Sequence, residues 1–388
     1  MPRSTPLAER ERALGATFAT VFAGPDDGSP AAPDGFEVAA HFGDPVAEHR
    51  AVRESAGLFD TAYLGIVEAQ GPHRVRFLNG QVTADLRPLV DGQGAYAATL
   101  TPTGKMVADL RIYAVGETFL LVTPPGAARA VIDHLNHFRV ADRVVFTDLS
   151  ERVASLLVQG PASAAVVEAA LGGPLPPAAT LANLTRRVDL PGGEPVEVRL
   201  CRHSATGEDG FEILCPTPRV VALYDHLLDA GRPMGLRPAG FRALDSLRVE
   251  AGIPWFGVDM DTTTNPLEAR LAHAISLNKG CYTGQEVIAR ATYIGHVNRL
   301  LVGLVFPEGA FGVAVGDPIR FADKEVGRIT SLVDGPTVGR TIALAMVRRE
   351  AAEPSTRVVV GTRPAPGGAV PRPDRPAVVS PLPFYKRP

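Results

Sequence analysis

Apolar residues recur along the chain in two rhythms, one helical and one extended, and their order divides it. Leu7, Leu14, Phe18 and Val21 fall on one side of an amphipathic helix over 7–22, since such spacings share a helix face. Gly24-Pro25-Asp26-Asp27-Gly28-Ser29-Pro30 predicts a flexible break, because Gly and Pro interrupt both rhythms. A helix over 45–56 stops at Gly57, a residue type common at helix ends. Leu58-Phe59-Asp60 follows, then a strand over 63–69 that runs into Gln70-Gly71-Pro72 and the helically spaced Arg74, Val75, Phe77 and Leu78. The same grammar returns as a strand over 154–158, Gln159-Gly160-Pro161 and a helix over 162–171. Proline suits the first helical position, where its missing N–H had no partner. Two such units predict two related α+β halves.

Between them, 95–99, 106–115 and 119–123 read as strands of one antiparallel sheet, with Thr101-Pro102-Thr103-Gly104-Lys105 as a turn. A helix is predicted over 127–138, a loop over 172–177, a hairpin from 196–201 and 210–215, and helices over 220–230 and 240–251. From Leu300 onward strands dominate, at 301–306, 325–332 and 341–347, separated by turns such as Asp334-Gly335-Pro336. Short strands of this kind predict a small β-barrel. The proline-rich end from Pro364 is expected to be extended. The division is then an appendage and linker over 1–35, a first α+β domain of 36–150 with 235–295, a second of 151–234, a barrel of 296–362 and a tail of 363–388.

Composition adds exclusions. A chain of 388 residues, 45% hydrophobic and 21% charged, has the make-up of a soluble protein of two or three domains. A net charge of -3 and a pI near 6.3 argue against nucleic acid or a membrane surface as partner. Cys201, Cys215 and Cys281 form neither a disulfide framework nor a Cys-x-x-Cys pair, so no structural metal site is expected. No run nears ~18 apolar residues. Glu9, Arg10, Glu11 and Arg12 precede the first apolar stretch in a manner unlike a secretory signal, and a cytoplasmic location is expected.

Gly-x-Gly-x-x-Gly, the Walker loop, Gly-x-Ser-x-Gly and His-Glu-x-x-His are all absent from the sequence. His134 and His137, three apart on a helix without an acidic or cysteine partner, read as solvated surface. Four stretches carry chemistry. Around Tyr96 and 100–110, Asp109 interrupts an apolar strand pattern; it either meets a ligand, pairs with an arginine such as Arg111, or faces solvent. In Thr206-Gly207-Glu208-Asp209-Gly210-Phe211-Glu212-Ile213, alternation sends Glu212 to the face opposite its neighbours; an ordinary acidic hairpin turn has the same look. In the helix through Leu244, Leu247 and Ala251, Arg248 and Glu250 lie off the apolar stripe; they are either surface residues or, for Arg248, a carboxylate-binding group. Lastly, Lys279-Gly280-Cys281-Tyr282-Thr283-Gly284-Gln285-Glu286 sets a thiol beside a cation near a helix start, a setting that lowers a thiol pKa. A lone cysteine is equally a small buried hydrophobe.

Together these stretches resemble the folate-binding YgfZ family, which is related to the aminomethyltransferase (T-protein) of the glycine cleavage system. The match runs over roughly 40–350 and rests on Lys279 to Glu286, with Gly57-Leu58-Phe59-Asp60, Thr206 to Glu212 and Leu247-Arg248-Val249-Glu250-Ala251-Gly252 in support. The resemblance implies a folate-binding fold of two related α+β domains and a small C-terminal β-barrel arranged as a ring, with tetrahydrofolate or a one-carbon derivative in a central channel. It implies a role in assembling or repairing iron–sulfur clusters, with assembly factors or client iron–sulfur proteins as partners. Cys281 is then the working thiol beside Asp109. Tyr96, Asp109, Glu212, Arg248, Lys279 and Gln285 become the folate-binding set, with Glu212 accepting from the pterin and Arg248 holding the glutamate tail. The other readings are a folate-dependent aminomethyltransferase or another one-carbon transferase, and a non-enzymatic folate-gated scaffold in which Cys281 is structural. Where aminomethyltransferases carry an Asp-Asp pair after the glycine turn, this chain has Ala108-Asp109, one carboxylate fewer.

Overall fold

The computed structural model describes residues 1–23, 34–361 and 374–387. The expected break at 24–30 and the first residues of the proline-rich tail lie outside the described residues.

Alternation along two strands explains how the halves meet. Met106–Val115 lies inside an antiparallel sheet ordered Gly94–Leu100, Met106–Val115, Thr118–Thr123, Gly65–Gln70, Val145–Asp148. Its Ala108, Leu110, Ile112 and Ala114 join Phe77, Leu78, Val131 and Leu135 of the covering helices in one core. Period two sends Asp109, Arg111 and Tyr113 to the other face. The second sheet is ordered Asn183–Val188, Val196–Arg202, Gly210–Pro216, Val153–Gln159, Ala56–Asp60, Leu236–Pro238. Phe211, Ile213 and Cys215 enter its helix-covered core, with Val166, Leu223 and Leu227. Glu212 and Leu214 therefore face the first sheet. Ile66, Tyr113, Val122, Leu181, Cys201 and Leu214 fill the seam between the two.

Both Gln-Gly-Pro turns lead into helices, Arg74–Asn79 and Ser163–Leu171. Gly71 and Gly160 hold φ of +117° and +127°. A Cβ there would sit 2.4 Å from the Arg143 carbonyl oxygen or 2.5 Å from that of Ser55, so each turn admits only glycine. The third unit is a closed six-stranded barrel ordered Arg299–Val305, Arg340–Arg348, Lys324–Gly335, Pro318–Phe321, Arg357–Val360, Arg375–Ser380. The expected α+β fold with a C-terminal barrel is the one observed.

The outer parts of the chain differ from expectation. The helix stops at Ala13, and Thr17–Val21 is a strand antiparallel to Phe36–His41. Its β-branched and aromatic residues favour the extended chain once a partner strand is present. Leu7 lies in the second domain's core, so the N-terminal segment is built into the fold and is no appendage. The tail departs likewise. Arg375–Ser380 pairs with Arg299–Val305 and Arg357–Val360, burying Ala377 and Val379 and completing the barrel. Ala56–Asp60 and Leu236–Pro238, placed by sequence in the first domain, belong to the second sheet, where Leu58 registers with both Val158 and Pro238.

After the helix Phe241–Glu250 the chain runs largely without regular structure to Gln285–Tyr293. Its Phe256, Met260, Leu271, Ala274, Tyr282 and Ile288 pack on Ala98, Leu100 and Met106 of the first sheet. This segment forms one wall of the space between the units.

Candidate functional site

At the seam the buried polar residues form one network. Glu212 is fully buried. Its Oε1 accepts from Arg111 Nη2 at 2.8 Å and Ser155 Oγ at 3.0 Å. Its Oε2 accepts from Arg111 Nε at 3.2 Å and the Tyr113 hydroxyl at 2.8 Å. Burial alone would raise the Glu212 pKa, but the Arg111 charge and these donors overturn that and hold it at about 2. His203 lies beside the pair; burial and then the Arg111 charge push its pKa down to about 3, so its imidazole is neutral at pH 7.

Two residues along the strand, Asp109 Oδ2 accepts from the Tyr96 hydroxyl at 2.8 Å. The other oxygen, Oδ1, is buried without a hydrogen-bond partner. Burial raises the Asp109 pKa against the lowering effects of Tyr96 and Arg111. Tyr96 in turn stacks on His273, ring centroids 5.5 Å apart and planes 13° from parallel.

These groups line a cavity of about 490 Å³, whose wall includes Tyr96, Asp109, Arg111, His203, Trp255 and His273. Arg202, Arg270 and Asp209 also line it. Arg270 takes a left-handed backbone with φ of 61°, a costly conformation for a long side chain. Among the described residues its Nε alone finds an acceptor, the Leu301 carbonyl at 2.5 Å. A second chamber of about 80 Å³ shares Asp109, Arg111, His203, Ala205 and Trp255 with the first, and Phe22, Tyr63 and Phe256 also border it.

Several residues singled out from sequence stand elsewhere. Arg248, expected to hold a carboxylate ligand, is 1% exposed and every donor group is engaged. Its Nε donates to Asp245 at 2.8 Å, Nη2 to Ser331 Oγ at 2.7 Å and Nη1 to Asp259. It joins the helix Phe241–Glu250 to the barrel. Lys279 is buried, with Nζ donating to the carbonyls of Val82 at 2.7 Å and Ala84 at 2.5 Å; burial lowers its pKa to about 8. Gln285 accepts from the Tyr282 backbone N–H at 3.3 Å. Cys281 is exposed, and none of these four borders either chamber. Glu212 stands behind Arg111, and the four donors it accepts use up what a carboxylate can take. Tyr96 and Asp109 do line the cavity. Tyr113 and Arg111 were within reach of the strand alternation that marked Asp109. Trp255, Arg270 and His273 sit in an irregular segment where no periodicity announces them.

The architecture has counterparts among known proteins. Residues 15–279 match the GCVT N-terminal domain, and 299–386 match the glycine cleavage T-protein C-terminal barrel domain. The chain is 34% identical over 386 residues to an aminomethyltransferase of Rubrobacter xylanophilus, covering 99% of this chain and 95% of that one. It is 34% identical over 391 residues to an aminomethyltransferase of Saccharopolyspora erythraea, covering 100% and 99%. The crystal structure of the glycine cleavage system aminomethyltransferase T from Bartonella henselae superposes with a TM-score of 0.84 at 26% identity, over 100% of this chain and 99% of that one. These relatives, similar to the chain over nearly its whole length, carry the aminomethyltransferase name, which overturns the iron–sulfur reading and leaves its expected partners unsupported; the narrower YgfZ assignment is not borne out. The chain belongs to the glycine cleavage T-protein family.

Proposed function

We propose that the protein is a tetrahydrofolate-dependent aminomethyltransferase working from the cavity between the two sheets. The observation that carries this reading is Asp109, a buried carboxylate with one oxygen unpartnered beside the Tyr96–His273 stack in a cavity of about 490 Å³. Pockets of that size take cofactor-sized ligands. The residues fit a reduced folate. Tyr96 and His273 give a flat aromatic edge for a pterin, and Asp109 can accept from its N–H groups.

A bound tetrahydrofolate would supply the nitrogen nucleophiles that take up the carbon of an aminomethyl donor, whose amino group leaves as ammonia and whose carrier is released. Asp109, with Oδ1 unpartnered in the cavity wall, would hold the reacting nitrogen in place and be the group placed to receive its proton. Burial raises its pKa, which makes the carboxylate a better proton acceptor than an exposed aspartate. Arg202 and Arg270, in place of Arg248, meet the glutamate carboxylates through N–H groups that have no acceptor among the described residues. Glu212 acts indirectly, by fixing Arg111 in the wall. All three thiols are free, in keeping with the cytoplasmic setting we assign. Among the described residues no helix is long and apolar enough to cross a membrane.

Calorimetric titration of tetrahydrofolate tests the placement. Tyr96→Ala removes the ring beside the proposed pterin site and should weaken binding by about tenfold, an aromatic contact contributing ~0.5–1.5 kcal/mol. Equal affinity in the two proteins would move the folate out of this cavity.

A further inference from the structure

A second group of buried polar atoms lies where the N-terminal segment meets the second domain. Glu11 Oε2, Asp60 Oδ2, Thr5 Oγ1 and the Tyr224 hydroxyl are buried without a hydrogen-bond partner among the described residues. Glu11, on the helix Ala8–Ala13, is 1% exposed. Asp60 ends the strand Ala56–Asp60, and its other oxygen, Oδ1, accepts from the Ala62 N–H at 2.8 Å. Both carboxylates line a void of about 10 Å³ together with Val38, Phe59, Tyr63 and Leu244, room for about one water. The arginines of the same helix are engaged elsewhere, Arg10 with Asp225 at 2.7 Å and Arg12 with Glu37 at 2.6 Å. The neighbouring elements bring Tyr63, Tyr224 and Asp245, the last held by Arg248. Arg111, whose charge is felt at Tyr63, is paired with Glu212.

Two carboxylates buried side by side without a counter-charge do not both ionise. Burial, and then the Asp60 charge, raise the Glu11 pKa far above the ordinary value, and burial raises that of Asp60 less. With one proton between them, Glu11 donates and Asp60 accepts, which engages both orphaned oxygens in a charge-assisted hydrogen bond. We propose that Glu11 and Asp60 share one proton at neutral pH and so form a pH-sensitive latch that holds the N-terminal segment on the second domain. The segment continues through Thr17–Val21 to Phe22, which packs on Tyr63 with ring centroids 5.3 Å apart and borders the smaller chamber. Loss of the proton sets two like charges against each other, and the segment loosens together with the aromatic wall it carries. The latch does not depend on what the cavity binds.

Hydrogen exchange of residues 5–22, followed by mass spectrometry from about pH 6 to about pH 9 in wild type and Glu11→Gln, tests the latch. Stability held by a raised carboxyl pKa is present at low pH and is lost as pH rises toward the folded value, about 9 for Glu11. Opening therefore releases one proton across that range, and the opening constant of the wild-type segment should rise about tenfold per pH unit. Gln at this position has no proton to lose, and its amide can still donate to Asp60. The ratio of wild type to variant at each pH thus isolates the effect. A ratio that stays flat with pH overturns the proposal. So does protection that depends on sodium or calcium in place of tetramethylammonium at constant ionic strength, since a cation and not a proton would then lie between the carboxylates. Should the variant not fold, the strand Arg299–Val305 of the wild-type barrel serves as the reference in the same samples.

Discussion

Asp109 and Tyr96 are coupled in a way that kinetics can read. The Tyr96 hydroxyl donates to the carboxylate and so lowers a pKa that burial has raised. If the charged form works as base, the rate falls as pH drops through that pKa, above the ordinary aspartate value. Tyr96→Phe removes the lowering donor, and the acid limb of the pH–rate profile should move to still higher pH. An unmoved limb would take Asp109 out of the role of base. Glu212 makes a separate prediction about stability. Its folded pKa is depressed from 4.5 to about 2. The stability it contributes is therefore fully present above about pH 4.5 and is lost as pH falls toward 2. Glu212→Gln takes from the largely buried Arg111 cation the carboxylate it is hydrogen-bonded to, which should cost up to about 3–5 kcal/mol in urea unfolding at pH 7.

Among the elements, the helix Phe241–Glu250 shows how a correct pattern leads to a wrong role. Leu244 and Leu247 pack as the spacing predicts. Arg248 falls off that stripe, which suggested a cleft, yet it is held by Asp259 in the irregular segment that follows and by Ser331 in the barrel. Arg248→Met should destabilise the protein by about 3–5 kcal/mol, because Asp259 loses its buried counter-charge. Tetrahydrofolate affinity of the folded protein should stay within twofold, measured by calorimetry beside denaturant unfolding. Strand elements were more legible. Asp109 and Arg111 alternate with Ala108, Leu110 and Ile112 in Met106–Val115, and Glu212 stands between Phe211 and Ile213 in Gly210–Pro216, so the facing of Asp109 and Glu212 could be read directly. Their surroundings could not, since Arg111 meets Glu212 across 101 residues of sequence. Thr17–Val21 was misread because its few apolar residues fit either rhythm, and only the partner strand decides.

For the whole molecule, the consequence is that chemistry gathers at the seam and not at the stretch richest in reactive residue types. Lys279 to Gln285 serves as a clasp. Tyr282 enters the cluster behind Tyr96, and the Thr283 N–H donates to the Gly80 carbonyl at 3.0 Å. Cys281 stays outside, and Cys281→Ala should leave folate affinity and transfer rate unchanged. The three units were legible because each carries its own periodicity. Their boundaries were not, because the chain closes each sheet with distant strands, Ala56–Asp60 in one case and Arg375–Ser380 in another. The most direct test of the function is the initial rate of ammonia release from glycine in a glycine cleavage mixture, with this protein in place of its aminomethyltransferase. The wild-type protein should restore a tetrahydrofolate-dependent rate, and Asp109→Asn should lower it by about 10²–10⁴-fold, the usual contribution of a positioned acid or base. No folate-dependent release from the wild type, or full rate from the Asn variant, contradicts the account.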